Sequence, residues 1–135
     1  MSARYMLDTN ICIYIRRQHP PEVLARFRRL TPGEAVLSVI TFGELLYGAQ
    51  KSAHRVQAMR YLEELTAMMS ILPLSPEASR TYGAIRADLE GRGETIGNND
   101  IWIAAHAKAI GVTLVTNNER EFRRVPGLKV QNWVE

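Results

Sequence analysis

Apolar residues recur along this chain in short runs and at helical spacing by turns, and the alternation predicts a succession of strands and helices. Residues 4–7 form an apolar run that stops at charged Asp8, which reads as a strand with a polar turn at its carboxyl end. Thr9 or Asn10 caps a helix that carries Ile11, Tyr14 and Ile15 on one side. His19-Pro20-Pro21 breaks it, because proline has no N–H to give and its ring clashes with the preceding turn. A basic amphipathic helix over 22–30 follows, then a turn at Thr31-Pro32-Gly33, a second strand over 35–37 and a helix over 38–50. A long helix is predicted over 52–69 and a third strand over 70–74.

Ser75-Pro76-Glu77 is a helix start, with serine at the cap and proline at the first helical position, and that helix runs to about residue 90. Gly91, Gly93 and Gly97 surround a loop. Asn98 or Asn99 opens a helix that ends at Gly111. A strand over 112–115, a helical turn over 118–123 and a last strand over 128–130 complete the chain. Strands alternating with helices imply an α/β fold whose parallel sheet is covered on both faces. In such sheets the functional site lies beyond the carboxyl ends of the strands. The length of 135 residues, without repeat or linker, predicts one domain over 1–135.

Composition narrows the function classes. Cys12 is the one cysteine, which excludes an intramolecular disulfide and a cysteine-based zinc site and fits a cytoplasmic protein. No leader or membrane-spanning run is read from the sequence. The formal net charge is +3, and 14 of the 17 basic residues are arginine, whose planar fork suits phosphate. Arginine-rich helices are equally common as solvated faces, so nucleic acid is suggested rather than established by charge.

The acids are more informative. Of three aspartates in the chain, Asp8 falls at the end of the first predicted strand and Asp100 in the first turn of a helix, on a face with Ile96, Ile103, Ala104 and Ala107. Glu44 lies mid-helix in a stripe with Leu37, Ile40, Thr41, Tyr47 and Gly48. A carboxylate on an apolar face costs free energy unless it is paired or bound to metal. Capping explains Asp8 or Asp100 alone, and a buried ion pair with arginine is the structural alternative for each. Clustered carboxylates need a cation to offset their repulsion, and oxygen-only ligands favour magnesium or manganese. His19, His54 and His106 are scattered without metal-ligand spacing, which argues against zinc.

At these residues the sequence resembles a known family. MLDTNICIYI, SVITFGELLYGAQKS, IGNNDIWIAAHAKAIGVTLVTNNEREFRRVPGL and VQNWVE resemble the VapC toxins, the PIN-domain ribonucleases of bacterial toxin–antitoxin pairs, over residues 5 to 134. The resemblance implies a three-layer α/β/α sandwich around a parallel sheet. It implies that Asp8, Glu44 and Asp100 bind Mg2+, with Mn2+ able to substitute. Many PIN domains carry a fourth acid where this chain has Asn118, and Glu119 and Glu121 are the nearby candidates, with Glu121 preferred as a fourth catalytic acid. Also implied are a homodimer, a VapB-type antitoxin whose tail blocks the site, operator DNA reached only through that antitoxin, and RNA as substrate. Within the family the closest likeness is to the subgroup that cuts initiator tRNA in its anticodon stem-loop.

Thr9, Ser38, Thr116, Asn117 and Asn118 follow or end predicted strands and are expected to orient carboxylates, water or substrate, although turn and cap chemistry explains them as well. Arg86, Arg120, Arg123 and Arg124 are the candidate RNA contacts, with Arg16 and Arg17 as further ones, and Arg86 is one turn from Tyr82 so that a base can meet both; a surface ion pair is the alternative for each and is favoured for any one arginine taken alone. Tyr47, Met59, Tyr61, Leu62, Met68 and Met69 are assigned mainly to the core and in part to a partner interface. Two rivals remain. A phosphatase of the haloacid dehalogenase type wants a second aspartate where this chain has Asn10. A non-catalytic module that grips RNA or protein would use the acids as core ion pairs.

Overall fold

The computed structural model describes residues 2–134. Its elements, in chain order, are β1 (Tyr5–Leu7), α1 (Thr9–Arg17), α2 (Pro21–Arg28), β2 (Ala35–Ser38), α3 (Val39–Gln50), α4 (Arg55–Ala67), β3 (Ser70–Leu72), α5 (Pro76–Gly91), α6 (Asn98–Ile110), β4 (Thr113–Val115), α7 (Glu119–Phe122) and β5 (Val130–Gln131). The five strands form one sheet in the order β3-β2-β1-β4-β5, parallel at every pairing. The chain builds outward from β1 through β2 and β3, then returns to lay β4 on the other side of β1. The point where the order reverses is therefore between β1 and β4. Leu7 pairs with Val115 there, so Asp8 and Thr116 leave the sheet side by side at its carboxyl edge.

Successive strand residues face opposite sides, and the two cores follow that alternation. Met6, Val36 and Leu114 pack with Ile85, Leu89, Ile103 and Phe122 on one face, beneath α5, α6 and α7. Tyr5, Leu7, Ala35, Leu37 and Val115 pack with Ile11, Ile15, Val23, Leu65 and Trp133 on the other, beneath α1, α2 and α4. Helix α3 joins both, with Ile40 against the first core and Leu45 against the second. The sandwich is as expected.

Boundaries shift where a partner or a local bond decides them. Strand β3 stops at Leu72, before Pro73, which has no N–H for a ladder. Helix α4 starts at Arg55 because the Ser52 hydroxyl takes the His54 N–H, 3.0 Å away, in a turn of its own. Strand β5 lies two residues later than the expected start, because its register comes from β4: Val130 pairs with Leu114 and Gln131 with Val115. Leu62 and Met69 are core, but Tyr47, Met68 and Tyr61 are 66%, 53% and 39% exposed, so the core assignment fails for those three. No helix among the described residues is long and apolar enough to cross a membrane.

Among the described residues, one buried side-chain polar atom has no hydrogen-bond partner: the hydroxyl of Thr41, fully buried on α3. An unpaired buried hydroxyl carries its desolvation cost uncompensated, roughly 1–3 kcal/mol. Thr41→Val keeps the shape and removes the hydroxyl, so it is expected to stabilise the chain by about 1 kcal/mol. Chemical denaturation of the two proteins measures this, and an unchanged or lower midpoint for the valine variant refutes it.

Candidate metal centre

Asp8 follows β1 and caps α1: its Oδ1 accepts the Ile11 N–H at 3.1 Å, and its Oδ2 accepts the Thr116 hydroxyl at 2.5 Å. It is 6% exposed. Burial pushes its carboxyl pKa up; the bonds from Thr116 and Ile11 act the other way, and the neighbouring Glu44 charge adds to the rise. Glu44, half-buried on the second turn of α3, accepts the Thr9 hydroxyl at 2.5 Å on Oε1 and Asn99 Nδ2 at 3.4 Å on Oε2. Asp100 stands in the first turn of α6, half-buried, and its pKa is pushed up to about 6. Burial is the main cause, followed by the charges of Glu44, Glu121 and Asp8. Four acids from β1, α3, α6 and α7 thus share one electrostatic neighbourhood.

Six other acids make the contrast. Glu34, Glu77, Glu90, Asp88, Glu94 and Glu119 each pair with an arginine at the surface. Among the described residues, Asp8, Glu44, Asp100 and Glu121 have no basic partner within ion-pair distance. The core ion pairs that a structural reading requires are therefore missing at the very acids in question.

The fourth position separates Glu121 from Glu119. Asn118 Nδ2 donates to Glu121 Oε2 at 2.9 Å, and Glu121 contributes to the rise at Asp100. Glu119 is held elsewhere, by Asn132 Nδ2 at 2.9 Å and Arg123 at 2.6 Å, which depress its pKa. Asn118 thus acts on the site by orienting an acid.

Other expected residues divide. Thr9 and Thr116 bond directly to acids, and Thr116 also accepts the Asn118 N–H at 2.9 Å. Asn117 instead bonds Tyr14 and Asn132, and Ser38 bonds the Ile40 N–H and His106. Neither has an acid of the cluster as its partner. Arg86 is engaged by Glu90 and by the Tyr82 hydroxyl, and Tyr82 stacks on Trp102 with centroids 3.8 Å apart. Arg123 is paired with Glu119, and Arg124 donates to the Thr95 carbonyl. Arg120 is exposed. Glu44 does not lie in a fully buried stripe, since its neighbours Tyr47 and Gly48 are exposed; the cluster is buried at Asp8 and opens outward. Asn99 and His106 went unassigned in the sequence; the adjacency of Asn99 to Asp100 was a readable signal.

Carboxylate oxygens are the donors of a hard divalent cation. Among the described residues, no three or more His, Cys, Asp or Glu side chains are already gathered closely enough to hold a metal ion. The fit rests on donor chemistry instead: the carboxylate oxygens lack basic partners, and a small divalent cation that keeps several of its waters needs few protein ligands. The description "PIN domain" matches residues 5–128. Ribonuclease VapC2 of Haemophilus influenzae is 44% identical over 131 residues, which is 97% of this chain and 98% of that protein.

The chain belongs to the VapC ribonuclease family of PIN domains. A second VapC, the tRNA(fMet)-specific endonuclease of Shigella flexneri, is 39% identical over 130 residues, covering 96% of this chain and 98% of the relative. The VapBC2 complex of Rickettsia felis, solved bound to a DNA fragment from its promoter, superposes with a TM-score of 0.88 at 39% identity, over 98% of this chain and 99% of that one. PIN-domain nucleases such as VapC generally depend on a divalent metal.

The raised Asp100 pKa has a measurable sign. In the folded, metal-free chain Asp100 holds its proton up to about pH 6, whereas an aspartate in an unfolded chain loses it near pH 4 (about 3.9). The stability contribution is therefore intact below pH 4, declines from pH 4 to 6, and is fully lost above pH 6. Asp100→Asn is expected to gain thermal stability relative to the parent as pH rises from 4 to 7, without metal. A difference that stays constant across that range contradicts this assignment.

Proposed function

We propose that this chain is the toxin of a type II toxin–antitoxin pair: a cytoplasmic endoribonuclease that hydrolyses RNA phosphodiesters with Mg2+, for which Mn2+ substitutes. The reading rests on one observation above the others: Asp8, Glu44, Asp100 and Glu121 share one neighbourhood at the reversal point of the sheet, and among the described residues none of them has a basic partner within ion-pair distance. Asp8, Glu44 and Asp100 would hold the cation, and Glu121 completes the acidic rim. Held by these acids, a divalent cation would supply acidification of a water and neutralisation of the charge that builds on the attacked phosphate.

The residues of the chain supply the rest. Thr116 and the Ile11 N–H fix both oxygens of Asp8. Thr9 and Asn99 hold Glu44, and Asn118 aims Glu121. Burial and, after it, the charges of Glu44, Glu121 and Asp8 raise the Asp100 pKa, and a cation held there would offset the charge contribution. No histidine contacts the acids, so proton transfer falls to carboxylate and water. Exposed Arg120 and the half-exposed Tyr82–Trp102 pair offer phosphate and base contacts near the opening. Unpaired, splayed loop bases suit such an open cleft better than a duplex does.

The target proposed is initiator tRNA in its anticodon stem-loop, by likeness to the Shigella flexneri enzyme. The chain is proposed to act as a homodimer, as the family resemblance implies, and, by likeness to the Rickettsia felis complex, to be neutralised by a VapB-type antitoxin and to reach operator DNA only through it. An apolar cavity of about 250 Å³ between α1, α2 and α4, rimmed by exposed Tyr61 and Met68, offers such a partner a seat.

The test uses purified chain with initiator and elongator tRNAs, in magnesium and in EDTA. Cleavage is expected with magnesium alone and in initiator tRNA alone. Asp8→Asn keeps the oxygen that caps α1 and is expected to fold normally while losing at least two orders of magnitude in rate, about 2.7 kcal/mol of barrier. A variant that cuts at the parent rate removes Asp8 from the mechanism. RNA that is bound but never shortened favours the binding-module reading.

A further inference from the structure

His106 sits on the buried face of α6, 1% exposed, and the mechanism above makes no use of it. Its Nδ1 lies 2.9 Å from the Oγ of Ser38, itself fully buried at the end of β2. The ring also bonds the backbone carbonyl of Pro73, just beyond β3. A neutral imidazole has one donor and one acceptor nitrogen, so donation to Pro73 leaves Nδ1 to accept the Ser38 hydroxyl proton. Burial keeps the ring neutral by lowering its pKa. The Ser38 oxygen in turn accepts the Ile40 N–H at 3.1 Å and caps α3. One buried ring therefore joins α6, the start of α3 and the segment after β3, with each of its nitrogens used once.

The position of this junction matters more than its bonds. His106 meets Ser38, and Asn99 meets Glu44, so α3 and α6 run antiparallel where they touch. Glu44 is six residues beyond Ser38, and Asp100 is six residues before His106. At 1.5 Å per residue, both acids stand about 9 Å along their helices from the junction, on the same side of it. Glu44 and Asp100 repel each other, and that repulsion acts to part the two helices. The junction is the nearest hydrogen bond between their side chains that has no part in the acidic site.

We infer that His106 is a positioning residue: through Ser38 it holds α3 and α6 at the separation that lets Glu44 and Asp100 share one cation. The inference rests on the metal-site reading given above. It assigns no contact between His106 and substrate or cation.

The experiment measures Mn2+ binding to the RNA-free full chain, by the loss of free-ion paramagnetic resonance signal. Two variants divide the ring's bonds. His106→Asn places an acceptor near Nδ1 and keeps the Ser38 bond; His106→Gln reaches Pro73 and abandons Ser38. Leu65→Ala, in the opposite core, controls for general destabilisation. The Mn2+ dissociation constant is expected to rise on the order of tenfold in His106→Gln, the range for residues that orient metal ligands, and to stay within threefold in His106→Asn and Leu65→Ala. Each comparison is made below the unfolding temperature of the variant, checked by circular dichroism. Parent-like affinity in His106→Gln overturns the inference, as do equal losses in both His106 variants, which would make the ring mere packing. If the parent binds no Mn2+, the metal reading fails first and takes the inference with it.

Discussion

Carboxylates that share a site repel, and a fold that gathers four of them must spend stability to do so. Asp8 is buried, Asp100 keeps a proton to about pH 6, and neither has a basic partner among the described residues. The cost is met by hydrogen bonds aimed at the acids: a helix-cap N–H and a threonine on Asp8, a threonine and an asparagine on Glu44, an asparagine on Glu121. These bonds hold oxygen atoms in place without neutralising them. That is the arrangement expected of a site prepared for a cation.

The sheet determines which residues can take part. With β1 central and the strand order reversing beside it, Asp8 and Thr116 leave the sheet at the carboxyl edge between β1 and β4, and acids from α3, α6 and α7 share the neighbourhood of Asp8. Asp8 and Thr116 are adjacent because Leu7 and Val115 are in register. The two cores clamp the sheet from both faces, so the acids stand on a rigid frame and not on loops. Six acids elsewhere are paired with arginines, most of them three or four residues away along a helix, so those arginines are not drawn to the site.

Much of this was legible in the sequence because the relevant signals are local. Helical periodicity singled out Glu44 and Asp100, Asp8 at a strand end gained most from the family resemblance, and the parallel sandwich followed from the alternation of elements. What depended on distant partners was not legible. The register of β5 is set by β4, and the Ser38–His106 bond joins residues 68 apart, so a histidine that looked scattered is a buried junction. Helical spacing placed Glu44 in a stripe with Tyr47 but could not say which part of that stripe is covered; Tyr47 is open to solvent. The arginines follow the local rule too: Arg86 with Glu90, and Glu119 with Arg123, are spaced four apart, and the surface ion pair that this spacing offers as the alternative to RNA contact is present at both.

The antiparallel contact of α3 and α6 also sets where this chain can change length. One residue inserted between Ser38 and Glu44, or between Asp100 and His106, would rotate an acid by about 100° relative to the junction and lift it off the shared side. The turn at 31–33 and the loop at 91–97 carry no such phase relation to the acids. Two spacings of six residues thus act as rulers: along them the number of residues is constrained as well as the side chains, such as Ile40 and Ile103, that pack into the core there.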